Sequence, residues 1–164
     1  MSDSRCAECG APVDGGSTGC QALMDMVQAR AYSDPAYAET FDLGFDAYCM
    51  QHPEKYGVSA KSYAAHLTRL CCGVERGGEP AVYKDINRWL STNPSIIKPY
   101  LLTGRGRMTV ADVVTASDAA EHRRLVKEWA AEVWRAYESQ HELAHQWIDM
   151  ALHTAGSKRG HQLH

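Results

Sequence analysis

The chain carries little excess charge of either sign. Its 17 Lys and Arg against 20 Asp and Glu leave a formal net charge of -3 and a pI of about 6.2. The basic footprint by which proteins hold nucleic acid is therefore missing, and no nucleic-acid partner is expected. Long apolar runs are also missing. Each hydrophobic stretch is short and broken by charge, so no membrane span is expected. The opening Met1-Ser-Asp-Ser-Arg5 lacks the apolar core of a signal peptide, which makes a cytoplasmic location the default expectation. No internal repeat, low-complexity tract or alternating strand pattern stands out. At 164 residues the chain suits one domain with a real core rather than two.

What the sequence does have is sulfur and imidazole, with six cysteines and eight histidines. Cys6 and Cys9 are separated by two residues and followed by Gly10, a spacing that lets a knuckle wrap one cation. A Pro/Gly/Ser/Thr run then leads to Cys20. Thr18 and Gln21 have the spacing of a capping box, which would place Cys20 in the first turn of a helix, where exposed amides favour a thiolate. A redox role for Cys-x-x-Cys needs a strand before it and a helix directly after it, and neither is predicted there. The expected cofactor is a structural Zn²⁺ on Cys6, Cys9, Cys20 and a fourth ligand. His52 is the favoured fourth, since it lies at a predicted helix end beside a loop. Cys49 and His66 are the alternatives.

The apolar spacing predicts an all-α antiparallel bundle. Asp34-Pro35 starts a helix with Ala38, Phe41, Phe45, Tyr48 and His52 on one stripe, ended by Pro53. Val58-Ser59 opens the next, and Gly77-Gly78 closes it. Pro80 starts another that ends by Asn93-Pro94. Residues 95–107 read as a long connection, in which Gly104-Arg105-Gly106-Arg107 is expected to be a mobile loop. Thr109 caps a short turn, and Ser117-Asp118 begins the longest helical pattern, with a weak point at Glu138-Ser139-Gln140. Trp89, Trp129, Trp134 and Trp147 are expected in the core, as are Cys71 and Cys72. Glu121 to Arg124 reads as a solvated face. The domain is expected to span 1–153, with 1–19 as the knuckle loop and 154–164 as a flexible tail.

A second constellation is His141-Glu142-Leu143-Ala144-His145. On a helix its two histidines share a face and can grip a metal, with Glu142 as general base. These three are the candidate catalytic residues. A zinc protease is disfavoured, because the third-ligand position is Ala151 and no glutamate follows Glu142. Joined by His52 from an earlier helix, His141 and His145 resemble the three-histidine site of DinB-like helical proteins. That resemblance implies a metal-dependent transferase or hydrolase. The ordinary alternative pairs His145 with Asp149 one turn on.

Several stretches together resemble a bacterial family known only as a domain of unknown function. They are Cys6-x-x-Cys9-Gly10, Cys20, Asp46 through Gln51-His52-Pro53, Ser59 through His66 to Leu70, Gly77-Gly78, Met108 to Val113, and Trp129 with Val133-Trp134, Tyr137 and Trp147. The Gln-His-Pro motif is the most specific piece. The resemblance makes Cys6, Cys9, Cys20, His52 and His66 look like a shared set and implies no known activity. The resulting expectation is a small metal-binding helical protein with structural zinc. One rival is the three-histidine enzyme. A second is an interaction module that presents the knuckle and the 95–107 loop to an unknown protein partner.

Overall fold

The computed structural model describes residues 4–161, with side chains described for 4–156. The first residues of the Met1–Arg5 opening and the last three of the expected tail lie outside the described residues. Among those described, the chain is all helix apart from turns, loops and one isolated bridge between Arg5 and Pro12. In order the helices are α1 (Gly16–Ser33), α2 (Pro35–Ala38), α3 (Phe41–Gln51), α4 (Pro53–Tyr56), α5 (Ala60–Glu75), α6 (Pro80–Ser91), α7 (Val110–Val113), α8 (Ala119–Ala136) and α9 (His141–His161). α3 packs on α5 and α8, and α5 packs on α6 and α9, with α9 also against α6. α1 lies over α2, α7 and the end of the layer that holds α3. No helix among the described residues is long and apolar enough to cross a membrane.

Several boundaries follow from local chemistry. The Asp34 carboxylate accepts the Ala36 N–H at 2.9 Å and Pro35 takes the first helical position, where a missing N–H costs nothing. Ser59 caps α5 by accepting the Ser62 N–H at 3.0 Å. Thr109 and Asp112 form a reciprocal capping box at α7, and Asp118 caps α8 through the Glu121 N–H at 2.8 Å. α5 stops where Gly77 and Gly78 turn left-handed and the Gly78 N–H returns to the Cys72 carbonyl at 3.1 Å. The weak point at Glu138–Gln140 is a single 3₁₀ turn that separates α8 from α9.

The core is aromatic and aliphatic. Trp129, Tyr63, Tyr137, Leu67, Leu70 and Ile86 are fully buried, with Trp89, Trp134 and Trp147 nearly so. Each such side chain contributes about 1.5–3 kcal/mol by leaving water. The buried tyrosines keep their hydroxyls satisfied: Tyr137 donates to the Met50 carbonyl and Tyr63 to Gln140 Oε1, each at 2.5 Å. Gln51 is the polar hub. Its Nε2 donates to the carbonyls of Arg105 (3.1 Å) and Met108 (2.7 Å), and its Oε1 accepts the Trp129 indole N–H at 3.0 Å.

The structure corrects several local expectations. The stripe from Ala38 to His52 belongs to two helices, because Thr40 leaves helical geometry (φ -109, ψ 10) and lets α2 and α3 each reach α8. The Thr18–Gln21 capping box does not form. α1 starts earlier, on Gly15 at φ 88, a value open to glycine at little cost. Gln21 instead accepts the Tyr56 hydroxyl at 2.8 Å and Lys55 Nζ at 3.0 Å, tying α1 to α4. Arg105 is no loose loop residue. It is buried, donates to the carbonyls of Leu102 and Gln51, and clamps both carboxylate oxygens of Glu54. Apart from these corrections, α9 runs on to His161.

Nor is the Glu121–Arg124 stretch a wholly solvated face. His122 is fully buried, its ring edge-on to Tyr37 at 4.9 Å, and neither ring nitrogen has a hydrogen-bond partner. Burial, with Arg30 and Arg123 adding to it, holds its pKa below the ordinary 6.5. The unfolded chain therefore binds this proton more readily than the folded one. The resulting stability loss begins as pH falls below about 6.5 and grows by at most about 1.4 kcal/mol per pH unit. Urea denaturation of a His122→Leu variant should show a flatter stability profile between about pH 6.5 and 5 than the parent chain. An unchanged slope would refute the assignment.

Candidate metal centre

The loop from Ser4 to Gly15 has no regular helix or strand, yet Cys6 and Ala11 are buried, and Cys9 and Val13 pack against the core. It is shaped by backbone hydrogen bonds: the Cys6 N–H donates to the Ala11 carbonyl and the Gly10 N–H to the Cys6 carbonyl, both at 2.9 Å. Gly10, at φ 77, makes the reversal that turns Cys9 back beside Cys6. Cys20 is carried by α1, one turn in from its start. His52 closes the group from the C-cap of α3, where Pro53 begins the next helix.

One ligand atom from each of Cys6, Cys9, Cys20 and His52 lies within 4.8 Å of all the others. Cys6 Sγ and Cys20 Sγ are each 3.6 Å from His52 Nε2, and Cys9 Sγ is 3.7 Å from Cys20 Sγ. A disulfide would need about 2.05 Å, and all six cysteines are free. A tetrahedron with metal–sulfur bonds of about 2.3 Å and a metal–nitrogen bond of about 2.05 Å has S···S edges of about 3.8 Å and S···N edges of about 3.6 Å. The donor set and its spacing therefore fit one tetrahedral cation.

The imidazole is oriented for this use. His52 Nδ1 lies 2.7 Å from the Tyr48 carbonyl one turn back. A carbonyl only accepts, so Nδ1 carries the hydrogen and Nε2 turns its lone pair to the sulfurs. The Tyr48 ring stacks on the imidazole at 4.0 Å and fixes its plane. Among the sulfurs, the hydrogen bond with Cys20 holds the Cys9 thiol down to about 4, while Cys9 and burial push Cys20 up. Without a cation the pair keeps one proton between its sulfurs. A dication is the charge that lets them ionise together. Glu8, whose carboxylate is 3.9 Å from His52 Nε2, borders the same place.

The other candidate ligands are engaged elsewhere. His66 Nδ1 is 2.9 Å from Asp46 Oδ1, and Arg69 Nε donates to Asp46 Oδ2 at 3.2 Å. The buried Asp46 carboxylate thus engages His66, which stands outside the cysteine cluster. Burial pushes Asp46 up, against the opposing pull of His66 and Arg69. Cys49 is buried and stays a thiol, its pKa raised chiefly by burial and then by Asp46.

His52, His141 and His145 do not converge among the described residues. His141 stacks on Trp134 at 3.8 Å and places Nε2 2.7 Å from the Trp134 carbonyl. His145 pairs with Glu75 at 2.7 Å rather than with Asp149. Glu142 is exposed. The residues that sequence reasoning missed are Tyr48 and Glu8. Tyr48 precedes His52 by one helical turn, so the signal for its carbonyl was the helix end at Pro53. Glu8 offered none beyond its place inside Cys-x-x-Cys.

The model of a family of unknown function (DUF5946) matches residues 4–138, a span that includes all four clustered residues and stops short of α9. No curated protein and no solved structure matches the chain.

Gly19 sets how closely the cysteine loop sits on α1. A Cβ there would lie 2.0 Å from the Asp14 carbonyl oxygen and 3.1 Å from Val13 Cγ2. The first contact is backbone and cannot swing aside. Gly19→Ala should therefore lift the loop and cost about 1–3 kcal/mol, read as a lower urea midpoint. A thiol reagent should also label Cys20 faster than in the parent chain.

Proposed function

The chain belongs to this family of unknown function, which lends it no activity, and we propose from the geometry that it is a metal-binding protein whose Cys6, Cys9, Cys20 and His52 hold one structural Zn²⁺. The observation that supports this most directly is the match of three independent ligand–ligand distances to the edges of a tetrahedron. Three thiolates and one imidazole are the donors that borderline Zn²⁺ favours over hard cations. Four protein ligands fill the tetrahedron and leave no place for substrate, which is the mark of a structural site. The task of the metal is mechanical: it fastens a loop with little core of its own to α1 and to the end of α3. Six free cysteines agree with a reducing compartment, and we take the cytoplasm as its place.

A second reading, an interaction module, draws on one observation. Ile97 and Tyr100, in the segment between α6 and α7, are 87% and 97% exposed. Lys98 beside them fixes the segment by donating to the carbonyls of Gly57 and Val58 at 3.1 and 2.9 Å. Two large apolar side chains on an anchored segment suit contact with another protein.

Metal analysis of the purified protein tests the main reading. One zinc per chain that survives exhaustive dialysis is expected, absent from Cys9→Ser and retained in His141→Ala. Removing it with a chelator, or acidifying until protons take the thiolates, should lower the melting temperature sharply. A protein that purifies without metal and gains no stability from added zinc would overturn it.

A further inference from the structure

A second group of ligating atoms converges where α5 meets α9. Cys71, Glu75 and His145 bring one atom each within 4.8 Å of one another. Cys71 and Glu75 stand one turn apart on α5 and share a face, and α9 packs on that helix and supplies His145. Glu75 is held as a ligand would be. Its Oε1 accepts the Trp134 indole N–H at 3.0 Å, which leaves Oε2 facing His145 Nε2 at 2.7 Å and Cys71 Sγ at 3.6 Å. Cys71 is fully buried, while the side chains of Glu75 and His145 are 36% and 48% exposed. The sulfur lies at the floor, the oxygen and nitrogen at the rim.

We propose that Cys71, Glu75 and His145 form a second, open metal site that takes Zn²⁺ or a similar borderline dication and leaves a fourth position to solvent. Three protein donors of mixed sulfur, oxygen and nitrogen character with one outward position are the donor count of an open zinc site. The S···O separation already equals a tetrahedral edge. The N···O separation is a hydrogen bond and lengthens to about 3.4 Å when a cation replaces the hydrogen. His145, 48% exposed, makes that move, while Trp134 keeps hold of Glu75 Oε1.

Without a cation, burial and the neighbouring Glu75 push the Cys71 thiol up to about 12, so the sulfur serves as a weak donor to the carboxylate. Binding sends the Cys71 proton to solvent and moves the hydrogen of neutral His145 from Nε2 to Nδ1 by exchange with water, so that the Nε2 lone pair faces the metal. His141 supports the site from behind. Its ring stacks on Trp134, the residue whose indole orients Glu75. The His-x-x-x-His pair thus divides its labour, His145 as ligand and His141 as brace.

The test uses the full chain, stripped of metal, given one equivalent of Zn²⁺ and then titrated with Co²⁺. One Co²⁺ per chain should bind with a thiolate-to-cobalt charge-transfer band while the zinc stays bound. Cys71→Ser should abolish the band, and Glu75→Gln or His145→Ala should weaken Co²⁺ binding at least about tenfold. The band should persist when Cys6, Cys9 and Cys20 are all changed to Ser, a variant with no thiolate left in the first cluster to produce it. Should Cys71→Ser fail to fold, the rim variant His145→Ala still decides. Absence of the band, a band that survives His145→Ala, or cobalt taken up only as zinc leaves would each overturn the proposal.

Discussion

The convergence of three sulfurs on one imidazole is the constraint that the rest of this structure serves. Bringing three thiols and a histidine together in a buried place is unfavourable unless something neutralises the charge they develop. The fold nonetheless aligns them with care. Gly10 turns the knuckle, Gly19 lets the loop settle on α1, and the Tyr48 carbonyl fixes the hydrogen on His52 Nδ1. Each device acts on a different stretch of chain, and each points its residue at the same small volume.

Gln51-His52-Pro53 carries the link between that volume and the bundle. Pro53 starts a new helix and frees His52 from helical geometry (φ -128, ψ 50), so its ring folds back on the preceding turn. Gln51, one residue earlier, faces the other way and satisfies α8 and the 105–108 backbone at once. The three residues are best understood as one joint: an amide turned to α8, an imidazole turned to the cysteine loop and a helix break between neighbours.

Much of this was legible in the sequence, because it depends on short spacing. Cys-x-x-Cys-Gly, the Asp-Pro and Ser caps and the glycine pair after α5 all act within a turn or two, and the helices fall close to where the apolar stripes place them. His52 was readable as a ligand because it stands at a proline-ended helix. What was hidden depends on pairs distant in the chain. His66 takes its meaning from Asp46, a carboxylate on α3 that no local pattern marks as buried. Arg105 lies in a glycine-rich run whose composition suggests mobility, yet its guanidinium finds Glu54 and the end of α3. His145 finds Glu75, 70 residues earlier, across a packing of α5 on α9 that periodicity alone does not specify. The capping box at Thr18 was lost because two glycines before it can enter the helix sooner.

The arrangement at Gln51 has a further bearing on how the molecule comes apart. Its amide stitches Trp129 to the 105–108 backbone, which lies more than fifty residues further along the chain than Gln51. A rotation of the last turn of α3 large enough to withdraw His52 would also drag that amide out of line. Two carbonyls and an indole would then be stranded in a dry interior. Loosening of the cysteine loop and uncovering of the 95–107 side are thus mechanically geared.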